Sequence, residues 1–419
     1  MPIHAEPYRV FEHLFDRIRN TRDDRKPLQD ALQLAVQIEF TTIPAYLMAL
    51  YSIKTPDSQA YQLLRSVVVE EMFHVNQAAN LLVAIGGLPK FTGDAVPKYP
   101  NYLPNANPET TPYVGLYRAS PDVFENVFAA IETPAPPHAP PQGQCYDTIK
   151  QVYDSAVDGL KNYEGSEPLF QQDPNGRQRT DIYLGKFGGR PLEVTDMETA
   201  AAGVHQILQQ GEGAVPEAQS YNPDQRWGAY NHYGMRTDGT YGPIIGTPYE
   251  MSHFKKFRTV ALDTANFPAT YPITSNPQRS DFHDKTAQAS AEAFDMAYSI
   301  MLDALERSFR VPVSPDDPDP FFTLALPLMH EIMPALARTL MTTATRDNGD
   351  SSVGPNAAPT FLYRPGCSLH ELSSELAKVD RLTRQNLSAG SLVSTDIEPL
   401  ESALAATGRL VKIHDNFQE

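Results

Sequence analysis

Residues 66–88 constrain this chain more than any other stretch. Val67, Val68, Met72, Val75, Ala78, Ala79, Leu82 and Ile85 recur at three- and four-residue steps, the period of an amphipathic helix. Gly86, Gly87 and Pro89 mark its end. Glu71 and His74 interrupt the apolar side, and residues three apart on a helix stack on one face. Burying an ionised carboxylate alone is costly, so a partner is required. A metal ion serves well, because it takes both carboxylate and neutral imidazole as ligands. Glu-x-x-His pairs also arise by chance, and a second one, Glu250/His253, is present. The metal reading therefore depends on matching carboxylates on other apolar helix faces.

Residues 28–52 supply the first. Leu28, Leu32, Ala35, Glu39, Ile43, Tyr46 and Leu50 lie along one helical stripe, with Glu39 in its middle. Pro44 removes a backbone bond near Phe40 and predicts a kink beside Glu39. The alternative is that this carboxylate faces an arginine partner. Pro56, Asp57 and Ser58 form a turn and N-cap, which makes this helix and the next antiparallel neighbours.

Residues 195–213 predict another helix, with Thr195 and Glu198 as a capping box. Ala201, Val204, Leu208 and Glu212 share a stripe, and His205 lies beside it. Gly211 and Gly213 flank Glu212 and let the backbone loosen there, although glycine is also an ordinary helix stop. Residues 247–257 open a further helix, with Thr247 and Glu250 as a capping box and Pro248 first inside. His253, Phe257 and Ala261 continue that face inward, which favours a ligand role for Glu250 over capping alone.

The rest of the chain is less specific. Residues 8–20, 121–132 and 146–163 read as helices. Residues 89–120, 133–142 and 214–246 read as loops, the last holding Trp227, and 164–194 as irregular with short strands near 182–187. Helical segments near 285–309, 320–346, 367–387 and 395–416 carry no ligand pattern. His330 reads as a satisfied core or groove histidine.

With 41% hydrophobic and 20% charged residues over 419 positions, the chain fits a globular protein of one large or two ordinary domains. A formal charge of −17 argues against nucleic acid and anionic membranes as partners. Only Cys145 and Cys367 are present, which disfavours thiolate metal sites and fits a reducing compartment, so a cytoplasmic location is expected. The first 24 residues have mixed charge and no apolar core, unlike a signal peptide. No apolar run approaches the ~20 residues of a membrane span.

Four helices thus bring Glu39, the Glu71/His74 pair, Glu212 and the Glu250/His253 pair. Four carboxylates and two imidazoles favour two divalent first-row ions, iron or manganese. The order and spacing resemble the carboxylate-bridged dimetal site of ferritin-like bundles. Glu70 rivals Glu71 as ligand; four residues from His74, it also suits an outer hydrogen-bond acceptor. Tyr46 and His205 are candidates for the pocket wall.

The local sequences around Glu39 (EFTTIPAYL), Glu70 (EEMFHVNQAANLLVAIGG), Gln210 (QGEG) and Ser252 (SHFKKF) resemble the ferritin-like domain of the iminophenyl-pyruvate dimer synthase family. That family couples oxidised aromatic amino acids in violacein- and rebeccamycin-type pathways. The resemblance spans roughly residues 28–262 and matches Glu39, Glu71, His74, Glu212, Glu250 and His253. The named synthases are much longer chains.

The resemblance implies a mostly α fold: a ferritin-like four-helix bundle with long loops over 1–265 and additional C-terminal helices, 266–419, packed on it. It implies an oxidoreductase with two iron ions, alternatively Mn/Fe or a single Fe. The co-substrate would be O2 or H2O2, and the substrate a small amino-acid-derived or aromatic metabolite. A homo-oligomer or a pathway partner enzyme is the expected company. Iron oxidation and storage is one alternative; a non-enzymatic helical partner protein with a degenerate site is another.

Overall fold

Helices α2 (Lys26–Ser52) and α3 (Gln59–Ala84) are joined by six residues, 53–58, and pack along their lengths. So short a connection makes them antiparallel. Ser58 caps α3 by accepting from the Tyr61 amide at 3.3 Å. The computed structural model describes residues 9–134, 144–182, 191–213, 251–312, 314, 316–388 and 398–416, with backbone only at 212, 213, 387, 388 and 416. The strands expected near 182–187 and the 214–246 loop with Trp227 fall almost wholly outside these residues; Ile182 is described and forms no strand. Among the described residues there are helices, irregular segments and isolated β-bridges.

The chain divides into two units. The first comprises residues 1–89, 97–115 and 119–269. In it α1 (Leu14–Asn20) and α5 (Ile149–Lys161) lie on α2. Helix α4 runs from Pro121 to Ile131 through a π-turn at Phe124–Phe128. Helix α6 (Met197–Leu208) continues into a π-turn, Gln209–Gly213, and α7 is His253–Leu262. Both α6 and α7 pack on α3, and both π-turns touch α7. A Cβ on Gly159 would fall 2.6 Å from Leu28 Cδ2 and 2.7 Å from Ile18 Cγ2, so glycine is what lets α5 close onto α1 and α2.

Helix α2 runs through Pro44. Around the lost bond, Thr41 and Thr42 hydroxyls turn back to the Gln37 and Glu39 carbonyls at 2.6 and 2.7 Å. Helix α6 is capped by Asp196, not Thr195: Asp196 accepts from the Thr199 amide at 2.8 Å, and the Thr199 hydroxyl reciprocates at the Asp196 amide. Helix α7 begins at His253, capped by Ser252, and not at residue 247; the expected Thr247/Glu250 capping box lies outside the described residues. A short hydroxyl next to the first turn satisfies its amides sooner than a threonine five residues earlier.

Helix α2 is long and apolar enough to cross a membrane, contrary to the expectation that nothing approaches such a span. Polar residues interrupt the run in sequence without lowering its average enough. In the fold 83% of its most apolar window is buried, as for the central helix of a bundle.

The second unit holds residues 90–96, 116–118 and 270–419. Helix α8 (Lys285–Ser308), the segment 320–341 (α9), α10 (Leu369–Ser388) and α11 (Glu398–Asn416) pack together. Phe294 and Tyr298 of α8 meet the Phe361 ring at centroid distances of 4.9 and 5.4 Å. Asp295 is buried beside them and accepts from the Thr360 hydroxyl and the Leu362 amide, which pins the 360–362 strand of chain. His330 is exposed rather than core: it sits on the outer side of α9.

Candidate metal centre

Glu71 and His74 point inward from the middle of α3, both about 1% exposed. Glu39 reaches the same place from α2, at 2% exposure, and His253 from the first residue of α7, at 0%. The apolar stripes seen in the sequence account for this. They turn these faces toward the bundle axis, and the interrupting polar groups go with them.

The contacts form a near-symmetric chain. His74 Nδ1 lies 3.5 Å from Glu39 Oε2 and 3.6 Å from Glu71 Oε2. His253 Nδ1 lies 2.9 Å from Glu71 Oε1 and 3.6 Å from Glu132 Oε1. Glu71 is therefore shared, with one oxygen toward each imidazole. The rings are stacked with centroids 5.2 Å apart. Each terminal carboxylate takes a tyrosine hydroxyl: Tyr153 donates to Glu39 at 2.7 Å and Tyr46 to Glu132 at 2.8 Å.

The far side of each imidazole is also held. His74 Nε2 meets Gln210 Oε1 at 2.9 Å, and His253 Nε2 meets Glu70 Oε2 at 2.8 Å. An acceptor at Nε2 keeps the proton there and leaves the Nδ1 lone pair facing the centre, the tautomer a metal ligand needs. Glu70 is gripped by Lys256, whose ammonium lies 2.7 and 3.0 Å from its two oxygens. Of the two neighbouring glutamates, Glu71 faces the centre and Glu70 stands behind His253.

This donor set fits cations. Among the described residues, four buried carboxylates converge here, and Lys256 sits against one of them, Glu70. Among the described residues, Glu71 Oε2 and His253 Nδ1 have no hydrogen-bond partner, despite full burial. Ligand atoms of Glu71, His74 and His253 all lie within 4.8 Å of one another. Without an ion, the cluster relieves its charge by holding protons. Burial pushes the Glu39 carboxyl up to about 7, opposed by His74, and burial likewise raises Glu132. Burial disfavours a charged His74, but the Glu39 and Glu71 carboxylates outweigh it and push the imidazole up to about 10. His253 is raised in the same way by Glu132, Glu70 and Glu71. Glu71 is held well below the usual carboxylate range: burial works against its charge, and the two imidazoles overcome it.

Of the residues singled out from sequence, Glu39, Glu71, His74 and His253 come together, with Glu70 and Tyr46 next to them. The Glu212 side chain and Glu250 lie outside the described residues. His205 does not join: it is exposed on α6 beside Gln209. The 3.6-residue period turns it away from the face that Val204 and Ile207 bury.

Glu132, Tyr153, Gln210 and Lys256 escaped the sequence reading. Glu132 ends the run Phe124, Phe128, Glu132, an i+4 apolar stripe closed by an acid, which is the signal that exposed Glu39. A Cβ on Gly211 would come within 3.3 Å of Glu132 Oε2, so that glycine makes room for the carboxylate. Lys256 follows His253 by three residues on the same helical face. Tyr153 and Gln210 gave no signal beyond placement on amphipathic segments.

Comparison with known proteins bears on the fold that carries this centre. A solved structure of a ferritin-like protein from Caulobacter vibrioides is similar at 21% sequence identity, covering 80% of this chain and 97% of its own, with a TM-score of 0.49. No curated protein sequence matches the chain. A family model described as Ferritin-like matches residues 32–262, from α2 to the last residue of α7. That match spans every helix of the inward-facing cluster and more than half of the 419 residues, and the chain belongs to the Ferritin-like family.

Proposed function

We propose that this chain is a dinuclear non-haem metal oxidoreductase, with two iron ions as the simplest occupants. It would use O2 or peroxide to oxidise a small amino-acid-derived or aromatic metabolite, as its resemblance to the iminophenyl-pyruvate dimer synthase family implies. The observation that carries the two-ion reading is the shared Glu71, one oxygen toward His74 and Glu39, the other toward His253 and Glu132.

Glu39 and His74 would hold one ion, Glu132 and His253 the other, and Glu71 both. Glu212 and Glu250 complete the proposed donor set. When bound, redox-active ions supply the electrons and Lewis acidity for oxygen chemistry. The chain's own work is positioning and exclusion. Tyr153 and Tyr46 fix the outer carboxylates by donated hydrogen bonds. Tyr46 packs edge-on against Phe128 and Phe257 at 4.7 and 5.1 Å, a wall that keeps water from reactive species.

Metal analysis tests the reading. Protein supplied with Fe2+ anaerobically is expected to hold about two ions per chain, by the donor count. The His74→Ala/His253→Ala variant is expected to hold none. Oxygen uptake stimulated by aromatic amines or amino acids supports the oxidase; uptake with iron mineral alone points to iron storage instead. Metal content near zero, or unchanged in the variant, refutes the site.

A further inference from the structure

Among the described residues, the two halves of the centre match in their inner donors and differ behind the imidazoles. Each half has a histidine, a tyrosine-bound glutamate and one oxygen of Glu71. Behind His253 stands Glu70, a carboxylate, in a fully buried trio with Lys256. Behind His74 stands Gln210, a neutral amide in a half-buried π-turn.

The difference has a physical consequence. A hydrogen bond to a carboxylate is roughly twice as strong as one between neutral groups. It draws the Nε2 proton away from the ring and makes Nδ1 a better donor. Lys256 holds Glu70 by both oxygens, so the carboxylate cannot turn aside from His253. Lys256 and His253 lie one turn apart on α7, so helix and ligand move as one body. The amide of Gln210 carries no net charge and gives His74 no comparable push.

We propose that Glu70 and Lys256 are positioning residues that make the His253 half bind its ion more tightly than the His74 half, so that the two positions load in order. This rests on the two-ion reading above.

The test is an anaerobic titration of the metal-free full chain with Co2+ alone, followed by calorimetry and by visible absorption of the bound ion. Wild type is expected to bind two ions in resolved steps, with His253→Ala losing the tighter step and His74→Ala the weaker. Replacing Glu70 alone strands a buried ammonium, so the informative variant is Glu70→Gln/Lys256→Met, which removes both charges together. It should weaken the tighter step by about 10–100-fold and leave the other unchanged. Gln210→Glu should tighten the weaker step. Two steps of equal affinity in wild type, or equal weakening of both in the double variant, overturn the proposal while the two-ion reading stands. One ion or none in wild type overturns both.

Discussion

Glu71 Oε1 lies 2.9 Å from His253 Nδ1, yet the two are not aligned as a hydrogen bond. Buried polar atoms this close normally pair. Here His253 Nδ1 has no hydrogen-bond partner among the described residues, and the other Glu71 oxygen lies 3.6 Å from His74 Nδ1. Because Glu71 serves both imidazoles, Glu71→Gln is expected to cost both ions. His74→Ala and His253→Ala should each cost one. Metal content per chain after anaerobic loading and desalting distinguishes these outcomes; retention of one ion by Glu71→Gln would contradict the sharing.

Glu132 is expected to matter as much as Glu39. Glu132→Ala should lower metal content by one ion, and Tyr46→Phe should keep both ions but bind one more weakly. Removing the hydroxyl leaves a buried carboxylate oxygen without its donor, at a cost of roughly 1–3 kcal/mol. Calorimetric titration checks the affinity, and a denaturant midpoint checks the fold. Unaltered binding in Glu132→Ala would remove that residue from the centre.

Metal affinity should rise with pH. The His74 imidazole of the metal-free protein is raised from 6.5 to about 10, so below about 10 an ion must displace its proton. For stability of the metal-free chain the sign is opposite. A histidine raised on folding contributes fully below its unfolded value of 6.5, and that contribution is lost as pH climbs toward about 10. Glu39, a carboxyl raised on folding, acts in the same direction between 4.5 and about 7. Thermal melts of metal-free protein should therefore fall across this range, and the gap to metal-loaded protein should widen. A gap independent of pH would show that His74 is not deprotonated on binding.

Gly159→Ala should loosen the seating of Tyr153. The added methyl meets Leu28 and Ile18 at under 3 Å, and overpacking of this kind costs about 1–3 kcal/mol. Since Tyr153 is on the same helix, weaker metal binding should accompany the lower denaturation midpoint. Wild-type values for both would mean that α5 has slack against α2.

The sequence by itself determined the helices that bear the centre and four of the residues that converge there, Glu39, Glu71, His74 and His253. Each interrupts an apolar stripe of helical period, and such a stripe has to face the core, taking its polar members along. Helix starts were less legible: Thr195 and Thr247 look like caps, but Asp196 and Ser252 lie closer to the first amides. Tertiary structure alone decided which carboxylates meet. Glu132 and Glu39 are 93 positions apart, and nothing local ties a helix-ending acid to a mid-helix one. The roles of Glu70 and Glu71 were likewise fixed in three dimensions: neighbours on a helix differ by about 100° in direction, and only the placement of α7 sets which one meets the centre and which one meets Lys256.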